Sequence, residues 1–190
     1  MHRLSASFAL GYHGCDHKVA EDLLSGTPFK PSDNAYDWLG GGIYFWEVNP
    51  KRGLEFVTEM MNRGVKKITR PDVVGAVIDL GNCLDLMTSV GIGIVAASYD
   101  SLSQIASAAG KSMPVNQDRV RRQLDCAVIE HVHAIMQSSG SIDTVRGVFV
   151  EGNPIYPGAG FDAKTHIQIA VRDPACIKGV FRVPAAHLTV

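Results

Sequence analysis

Short apolar runs alternate along the chain with helical patterns, and their order predicts a mixed fold. Runs rich in β-branched and aromatic residues predict strands near both ends of the sequence. These strands are expected at 8–12 (ending at Gly14), 42–46, 73–80, 145–150, 167–171 and 177–183. Between them, apolar residues at helical spacing predict one helix over 94–109 and another over 120–135. The sequence therefore predicts an α+β fold.

Two helix starts are marked by residues that cap a first turn. Asp16 precedes a predicted short helix that Gly26 ends, because a carboxylate can accept from the free amides of the first turn. Asn49 followed by Pro50 is the second start, with a cap residue and then proline at the first helical position. The segment 27–41, which lies between the first helix and the strand at 42–46, is predicted to be largely loop.

Length and composition indicate one domain over residues 1–190. The chain has 190 residues, 46% of them hydrophobic, and a formal net charge of −1. That length is enough for a sizeable core, and the charge gives no general attraction to nucleic acid. The four scattered cysteines contain no CxxC pair, which fits a reducing compartment. No apolar run has the length of a membrane span, and no signal-like segment begins the sequence. We therefore expect a cytoplasmic protein without membrane contact.

Three segments carry the residue types that could bind and position a nucleotide. They are Tyr-His-Gly-Cys at 12–15, Leu-Gly-Gly-Gly-Ile-Tyr-Phe-Trp-Glu at 39–47 and Lys-Thr-His-Ile-Gln-Ile-Ala-Val at 164–171. The His13 imidazole could hydrogen-bond a ribose hydroxyl, and Gly14 would let a planar ligand approach the backbone. The glycines at 40–42 would clear the space over which Tyr44 stacks on a ring. A phosphate cradle is excluded, because no Walker lysine or GxGxxG spacing follows these glycines.

The first two segments together resemble a known family of transferases. YHGC and LGGGIYFWE, about 30 residues apart, are similar to the His-Gly and GxGIYF motifs of poly-ADP-ribose-polymerase-like ADP-ribosyltransferases. The resemblance covers the N-terminal third and recurs at 161–183. It implies an ADP-ribosyltransferase fold, which is a split, strongly twisted antiparallel β-sandwich flanked by helices. It also implies that NAD+ binds as a substrate in the cleft between the two sheets.

The resemblance assigns roles to individual residues. His13 would bind a ribose hydroxyl of NAD+, and Gly14 would bind the nicotinamide carboxamide. Tyr44, with Gly42 beside it, would stack on the nicotinamide ring. Gln168 falls where most of the family has a glutamate that stabilises the oxocarbenium-like transition state. Because glutamine brings no negative charge, the chemistry would be slower or would be helped by a further carboxylate, for which Glu47 and Glu151 are the candidates.

Further residues are expected to read the pyrophosphate and the acceptor. Arg52 falls where the family often has a serine, and it could pair with the pyrophosphate or be a solvated helix charge. His166, two residues before Gln168, would share its strand face and recognise the acceptor, unless it is a partly buried structural residue. Tyr156 and Phe161 lie in the loop 152–164, whose composition suits recognition of an acceptor.

The function predicted from these residues is mono-ADP-ribosyl transfer from NAD+ to a protein or nucleic acid, with release of nicotinamide. Compact members of this kind resemble intracellular toxins of toxin–antitoxin or phage-defence loci, which makes an antitoxin a candidate partner. Three alternatives stay open: an NAD glycohydrolase, an RNA 2′-phosphotransferase, and a non-catalytic module that binds NAD or ADP-ribose. No metal is expected, because His131 and His133 are two residues apart on a predicted helix and point to different faces.

Overall fold

A seven-stranded sheet flanked by helices forms the body of the computed structural model, which describes residues 8–138 and 140–188. The strands are β1 (Phe8–Asp16), β2 (Ile43–Glu47), β3 (Pro71–Asp79), β4 (Cys83–Asp85), β5 (Thr144–Phe149), β6 (His166–Val171) and β7 (Ile177–Arg182). The helices are α1 (His17–Leu24), α2 (Pro50–Asn62), α3 (Ser89–Ala108) and α4 (Gln123–Met136). These elements confirm the predicted α+β class.

Both predicted cap residues begin their helices. Asp16 caps α1, and the Asn49 side chain accepts from the backbone N–H of Arg52 at 3.0 Å at the start of α2. One oxygen of Asp16 also accepts from the backbone N–H groups of Arg70, at 3.0 Å, and Thr69, at 2.7 Å. These bonds hold the pKa of Asp16 well below its usual range and fasten the start of α1 to the segment before β3.

The order of strands is β4-β5-β6-β2-β1-β3-β7. Its narrowest junction lies between β1 and β2, which pair only through Gly11 with Glu47 and Tyr12 with Trp46. Beyond these two pairs β1 and β2 separate. From that point β1 stays paired with β3, and β2 stays paired with β6. The separation leaves an opening in the sheet, beside His13.

The structure differs from the expected topology in two respects. Strand β4 was not predicted; it is only three residues long, and it pairs parallel with β5, so the sheet is mixed. The resemblance implied two sheets, whereas the β1–β2 pairs join all seven strands into one.

Helix α3 begins at Ser89, before the predicted position 94, because the Thr88 side chain accepts from the backbone N–H of Gly91 at 3.0 Å. Helix α4 begins at Gln123, which leaves Val120 outside it.

The buried apolar residues form clusters on both sides of the junction between β1 and β2. One cluster joins α4 and the loop before β2 to strands β4, β5 and β6; it contains Trp38, Leu39, Leu84, Ile129, Val132, Ile142, Val145, Phe149 and Ala170. A second joins β2, β3 and β6 around Phe45 and Ile78. The second cluster fixes β2, one of the two strands that border the opening, because its side chains are packed on the neighbouring strands. Within the part of the chain that the structure describes, no helix combines the length and apolar character needed to cross a membrane.

Candidate functional site

A cavity of about 360 Å³ lies at the opening between β1 and β2. Six of the predicted site residues line it: His13, Gly14, Gly42, Tyr44, Arg52 and Gln168. They come from β1, the start of β2, α2 and β6, which are distant in sequence. The fold thus brings together the residues that the three sequence segments singled out for the nucleotide.

His13 is held with one ring nitrogen committed to the protein. Its Nδ1 lies 2.9 Å from the backbone oxygen of Tyr44. Since a carbonyl can only accept, Nδ1 carries the proton and donates it. Burial lowers the pKa of His13, and the rings of Phe29 and Phe45 lie 5.4 Å and 5.7 Å from its own. The neutral imidazole therefore has Nε2 as an acceptor for a hydroxyl or amide N–H.

Tyr44 fixes the glycine turn that precedes β2. Its hydroxyl donates to the backbone oxygen of Gly40 at 2.8 Å and accepts from the backbone N–H of Leu39 at 3.0 Å. Burial raises the pKa of the phenol above its usual range. Of the three glycines in the turn, Gly42 lines the cavity, whereas Gly40 has a φ of +76°, which favours glycine. The ring of Tyr44 remains at the cavity wall, where it could stack on a ligand.

Gln168 has a defined orientation of its amide group. The indole Nε1–H of Trp38 donates to Oε1 of Gln168 at 2.6 Å. An indole N–H can only donate, so the oxygen of the amide must face Trp38. Among the described residues, the amide nitrogen of Gln168 makes no hydrogen bond, and the side chain lines the cavity. The group that Gln168 offers to a ligand is therefore a donor.

Arg52 is buried, which excludes the interpretation of a solvated helix charge. Its side chain is 4% exposed, and its NH2 donates to Oε2 of Glu151 at 2.8 Å. Its NH1 lies 3.6 Å from Oε1 of Glu59, and within residues 8–138 and 140–188 neither NH1 nor Nε makes a hydrogen bond. The buried Nε1–H of Trp46 on the same cavity wall also lacks a partner among the described residues. Buried donors of this kind are usually satisfied. These atoms are inaccessible to solvent, so the Arg52 side chain would have to turn toward the cavity to bind an oxygen-rich ligand group.

The two carboxylates that were expected to assist Gln168 have different positions. Glu47 forms two hydrogen bonds to Arg146, at 2.5 Å and 2.9 Å, and does not line the cavity. Glu151 does line it, as does Asp37, whose carboxylate accepts from the backbone N–H of Asn34 at 2.9 Å. The structure therefore favours Glu151 over Glu47.

The residues predicted to recognise the acceptor are not part of the cavity wall. His166 is 6% exposed; its Nδ1 donates to the backbone oxygen of Lys164 at 2.6 Å, and its ring centroid lies 5.4 Å from that of Phe149. This is the buried structural position that was the alternative for His166. Tyr156 and Phe161 are exposed on the loop between β5 and β6, with exposed fractions of 56% and 67%.

Several cavity residues were not predicted from the sequence to be site residues. They are Lys30, Asn34, Tyr36, Asp37, Trp38, Trp46, Phe56, Met60, Val120 and Phe149. Most lie in the loop before β2 or, like Val120, just before α4. Polar and aromatic residues are common in loops without function. A tryptophan within a loop, as at position 38, was the one available hint.

One group of side chains outside the cavity has atoms close enough to share a metal ion. His17 and Glu21 of α1 and Asp72 of β3 place one ligand atom each within 4.8 Å of the others. Nδ1 of His17 lies 2.7 Å from Oδ2 of Asp72, and Glu21 makes two contacts of 2.9 Å with Arg182. His17 and Asp72 thus have each other as polar partners, and Glu21 has Arg182.

Comparison with known proteins gives one short match. A segment of 36 residues is 47% identical to part of the uncharacterized protein MJ0359 of Methanocaldococcus jannaschii; it covers 19% of this chain and 17% of that protein. No protein-family model matches the chain. No solved structure matches it significantly.

Proposed function

We propose that this protein binds NAD+ and transfers ADP-ribose from it to a macromolecular acceptor. The main support is the cavity itself, which is lined by five residues at positions that the transferase motifs assign to NAD+ and by Arg52, which departs from the family pattern. A volume of about 360 Å³ lies in the usual range for small-molecule sites, roughly 300–1,000 Å³. The ADP-ribosyltransferase fold is part of this proposal, supported by the opening between β1 and β2 that holds the cavity.

The proposed binding mode follows from the groups that each wall offers. Nε2 of His13 accepts from a ribose hydroxyl, and the ring of Tyr44 stacks on nicotinamide, with Gly14 and Gly42 lining the cavity beside them. Arg52 would turn from Glu151 to the pyrophosphate. Its Nε and NH1 groups, which lack partners among the described residues, would then also find acceptors.

The proposed reaction breaks the bond between the nicotinamide nitrogen and C1′ of the ribose. The electron pair leaves with nicotinamide, and an acceptor nucleophile forms the new bond to C1′ and loses its proton. Positive charge develops on the ribose during this step, and a nearby carboxylate stabilises such charge. Glu151 is the proposed source of it, released when Arg52 turns to the pyrophosphate.

The acceptor would approach over the loop 152–164, which is connected to the cavity rim. Arg119 donates to Asp162 of this loop at 3.0 Å, and the next residue, Val120, lines the cavity. Tyr156 and Phe161 are then exposed contacts for the acceptor. Whether that acceptor is a protein or a nucleic acid stays open, and the toxin or phage-defence role, the antitoxin partner and the cytoplasmic location remain predictions.

A non-catalytic NAD-binding module is the second candidate. The observation that favours it is the orientation of Gln168, which offers a neutral donor where the family has a charged acceptor. Such a site would still bind and orient a ribose. Hydrolysis of NAD+ by water is the close variant of the proposed transfer, and it uses the same residues.

The test is to incubate the purified protein with NAD+ and measure binding, nicotinamide release and incorporation of ADP-ribose into candidate acceptors. We expect release by wild type and a loss of about tenfold to a thousandfold at saturating NAD+ in His13→Asn. Asparagine can keep the donation to the Tyr44 oxygen but has no acceptor at the position of Nε2. Binding without release would favour the module, and absence of binding would contradict the proposal.

Variants of Gln168 separate positioning from charge. We expect Gln168→Ala to abolish transfer, because the ribose loses its donor, and Gln168→Glu to retain or raise nicotinamide release. Full activity of Gln168→Ala would show that Gln168 has no role, and Glu151 would then be the next residue to substitute.

A further inference from the structure

We propose that Trp38 is a positioning residue that sets the hydrogen-bonding polarity of the site by fixing the amide of Gln168. The inference rests on the proposed function, since the group that Gln168 would meet is a ribose hydroxyl. It assigns to Trp38 a role that no motif in the sequence indicates. It also predicts which kind of ligand atom the site selects at this point.

The indole of Trp38 is held firmly enough to orient its partner. It is 8% exposed and belongs to the cluster between α4 and strands β4 to β6. The Arg122 guanidinium lies 4.9 Å from the centre of its ring, and the Phe149 ring centroid lies 5.2 Å away. A Cβ added at Gly147 would come within 3.0 Å of the indole, and Gly147 is paired with Gln168 in the sheet. Trp38 therefore packs directly on the strand pair that carries Gln168.

The polarity follows from the fixed partner. Since Nε1–H of Trp38 occupies Oε1 of Gln168 at 2.6 Å, both N–H groups of the amide are left for the cavity. His13 has the opposite polarity, because Nδ1–H is used by the Tyr44 oxygen and Nε2 accepts. A sugar hydroxyl can both donate and accept, so a ribose can meet the acceptor that His13 offers and the donor that Gln168 offers.

A glutamate at position 168 would keep the contact with Trp38 and invert the other one. One carboxylate oxygen would accept from the indole, and the second would face the cavity as a charged acceptor instead of a donor. Trp38 is thus compatible with both residues, and Gln168→Glu changes polarity without removing the positioning contact. A leucine at 168 has neither contact and nearly the same size.

The free protein provides the first test, because the chain has two tryptophans. In ¹H–¹⁵N spectra, the indole N–H of Trp38 should shift strongly in Gln168→Leu and much less in Gln168→Glu. The second indole signal belongs to Trp46, which is the cross-strand neighbour of Gln168 and can itself shift, so Trp38→Phe is needed to assign the two signals. An indole signal of Trp38 that is unchanged in Gln168→Leu would overturn the proposal.

The second test is a double-mutant cycle on NAD+ affinity. Trp38→Phe and Gln168→Leu should each weaken binding about two- to tenfold, the usual effect of one hydrogen bond. The double variant should bind no more weakly than Gln168→Leu alone, because Trp38 would act only through Gln168. Independent, multiplying losses would overturn the positioning role. If wild type fails to bind NAD+, the proposed function fails, whereas the indole signals still decide whether Trp38 fixes Gln168.

Discussion

Tyr44 contributes two separate groups to the site, a ring at the cavity wall and a hydroxyl in the glycine turn. The hydroxyl is bonded on both sides, to the oxygen of Gly40 and the N–H of Leu39, so it is not free to bind a ligand. The ring lines the cavity. The stacking function and the structural function of this residue can therefore be separated by substitution.

Tyr44→Phe and Tyr44→Ala are expected to have different effects. Phenylalanine keeps the ring, so NAD+ affinity should stay close to wild type while the free energy of unfolding falls by about 1 kcal/mol through loss of the turn hydrogen bonds. Alanine also removes stacking, so NAD+ affinity should fall by roughly 1 to 2 kcal/mol. Calorimetric titration and urea unfolding measure the two quantities. Unchanged affinity in a folded Tyr44→Ala variant would remove Tyr44 from the site.

At the scale of elements, the position of α2 depends on a close approach to β1. A Cβ added at Gly14 would lie 2.2 Å from the backbone oxygen of Gly53 in α2. The sequence suggested that Gly14 is small to admit a ligand, whereas the structure shows that the helix backbone requires it. Arg52 precedes Gly53, so this contact also sets the distance between Arg52 and His13 across the cavity.

Gly14→Ala should therefore push α2 away from the sheet and destabilise the fold by about 1–3 kcal/mol, as overpacking does. NAD+ affinity should fall as well, because Arg52 moves with the helix. The matched control is Gly93→Ala in α3, where an added Cβ meets nothing within 4 Å. That substitution should stabilise the helix by roughly 0.5–1 kcal/mol. Equal stability of the Gly14→Ala variant and wild type in urea unfolding would contradict the close approach.

Local signals in the sequence predicted the elements better than their pairing. Asp16 and Asn49 cap their helices as expected, because capping depends on neighbours within one turn. The three-residue β4 and its parallel pairing with β5 carry no such local signal. The site shows the same limit: the motifs predicted His13 and Tyr44, but the contacts of Gln168 with Trp38 and of Arg52 with Glu151 join residues far apart in the chain. These long-range contacts depend on the sheet order, which the sequence pattern leaves undetermined.

For the whole molecule, one buried histidine, His166, and two half-buried ones, His13 and His133, make stability depend on pH. Burial lowers the pKa of His13 and of His166, and it lowers that of His133 to about 4. In the unfolded chain these groups take up protons below about pH 6.5. Between pH 6.5 and the lower pKa values of the folded state, the unfolded chain binds more protons than the folded one. The stability that these histidines contribute by staying neutral is therefore fully present above pH 6.5 and is lost as the pH falls below it.

The expected result is a free energy of unfolding that is constant between about pH 7 and 8 and falls between about pH 6.5 and 5. The slope should be at most about 1.4 kcal/mol per pH unit for each histidine that stays neutral in the fold. Urea unfolding at several pH values measures it, and the range above pH 5 avoids the titration of most carboxylates. His133 lies by a separate polar pocket with Glu130 and Arg172, so His133→Gln should reduce the slope without weakening NAD+ binding. Stability that stays constant or rises from pH 6.5 to 5 would show that these histidines become protonated within the folded protein.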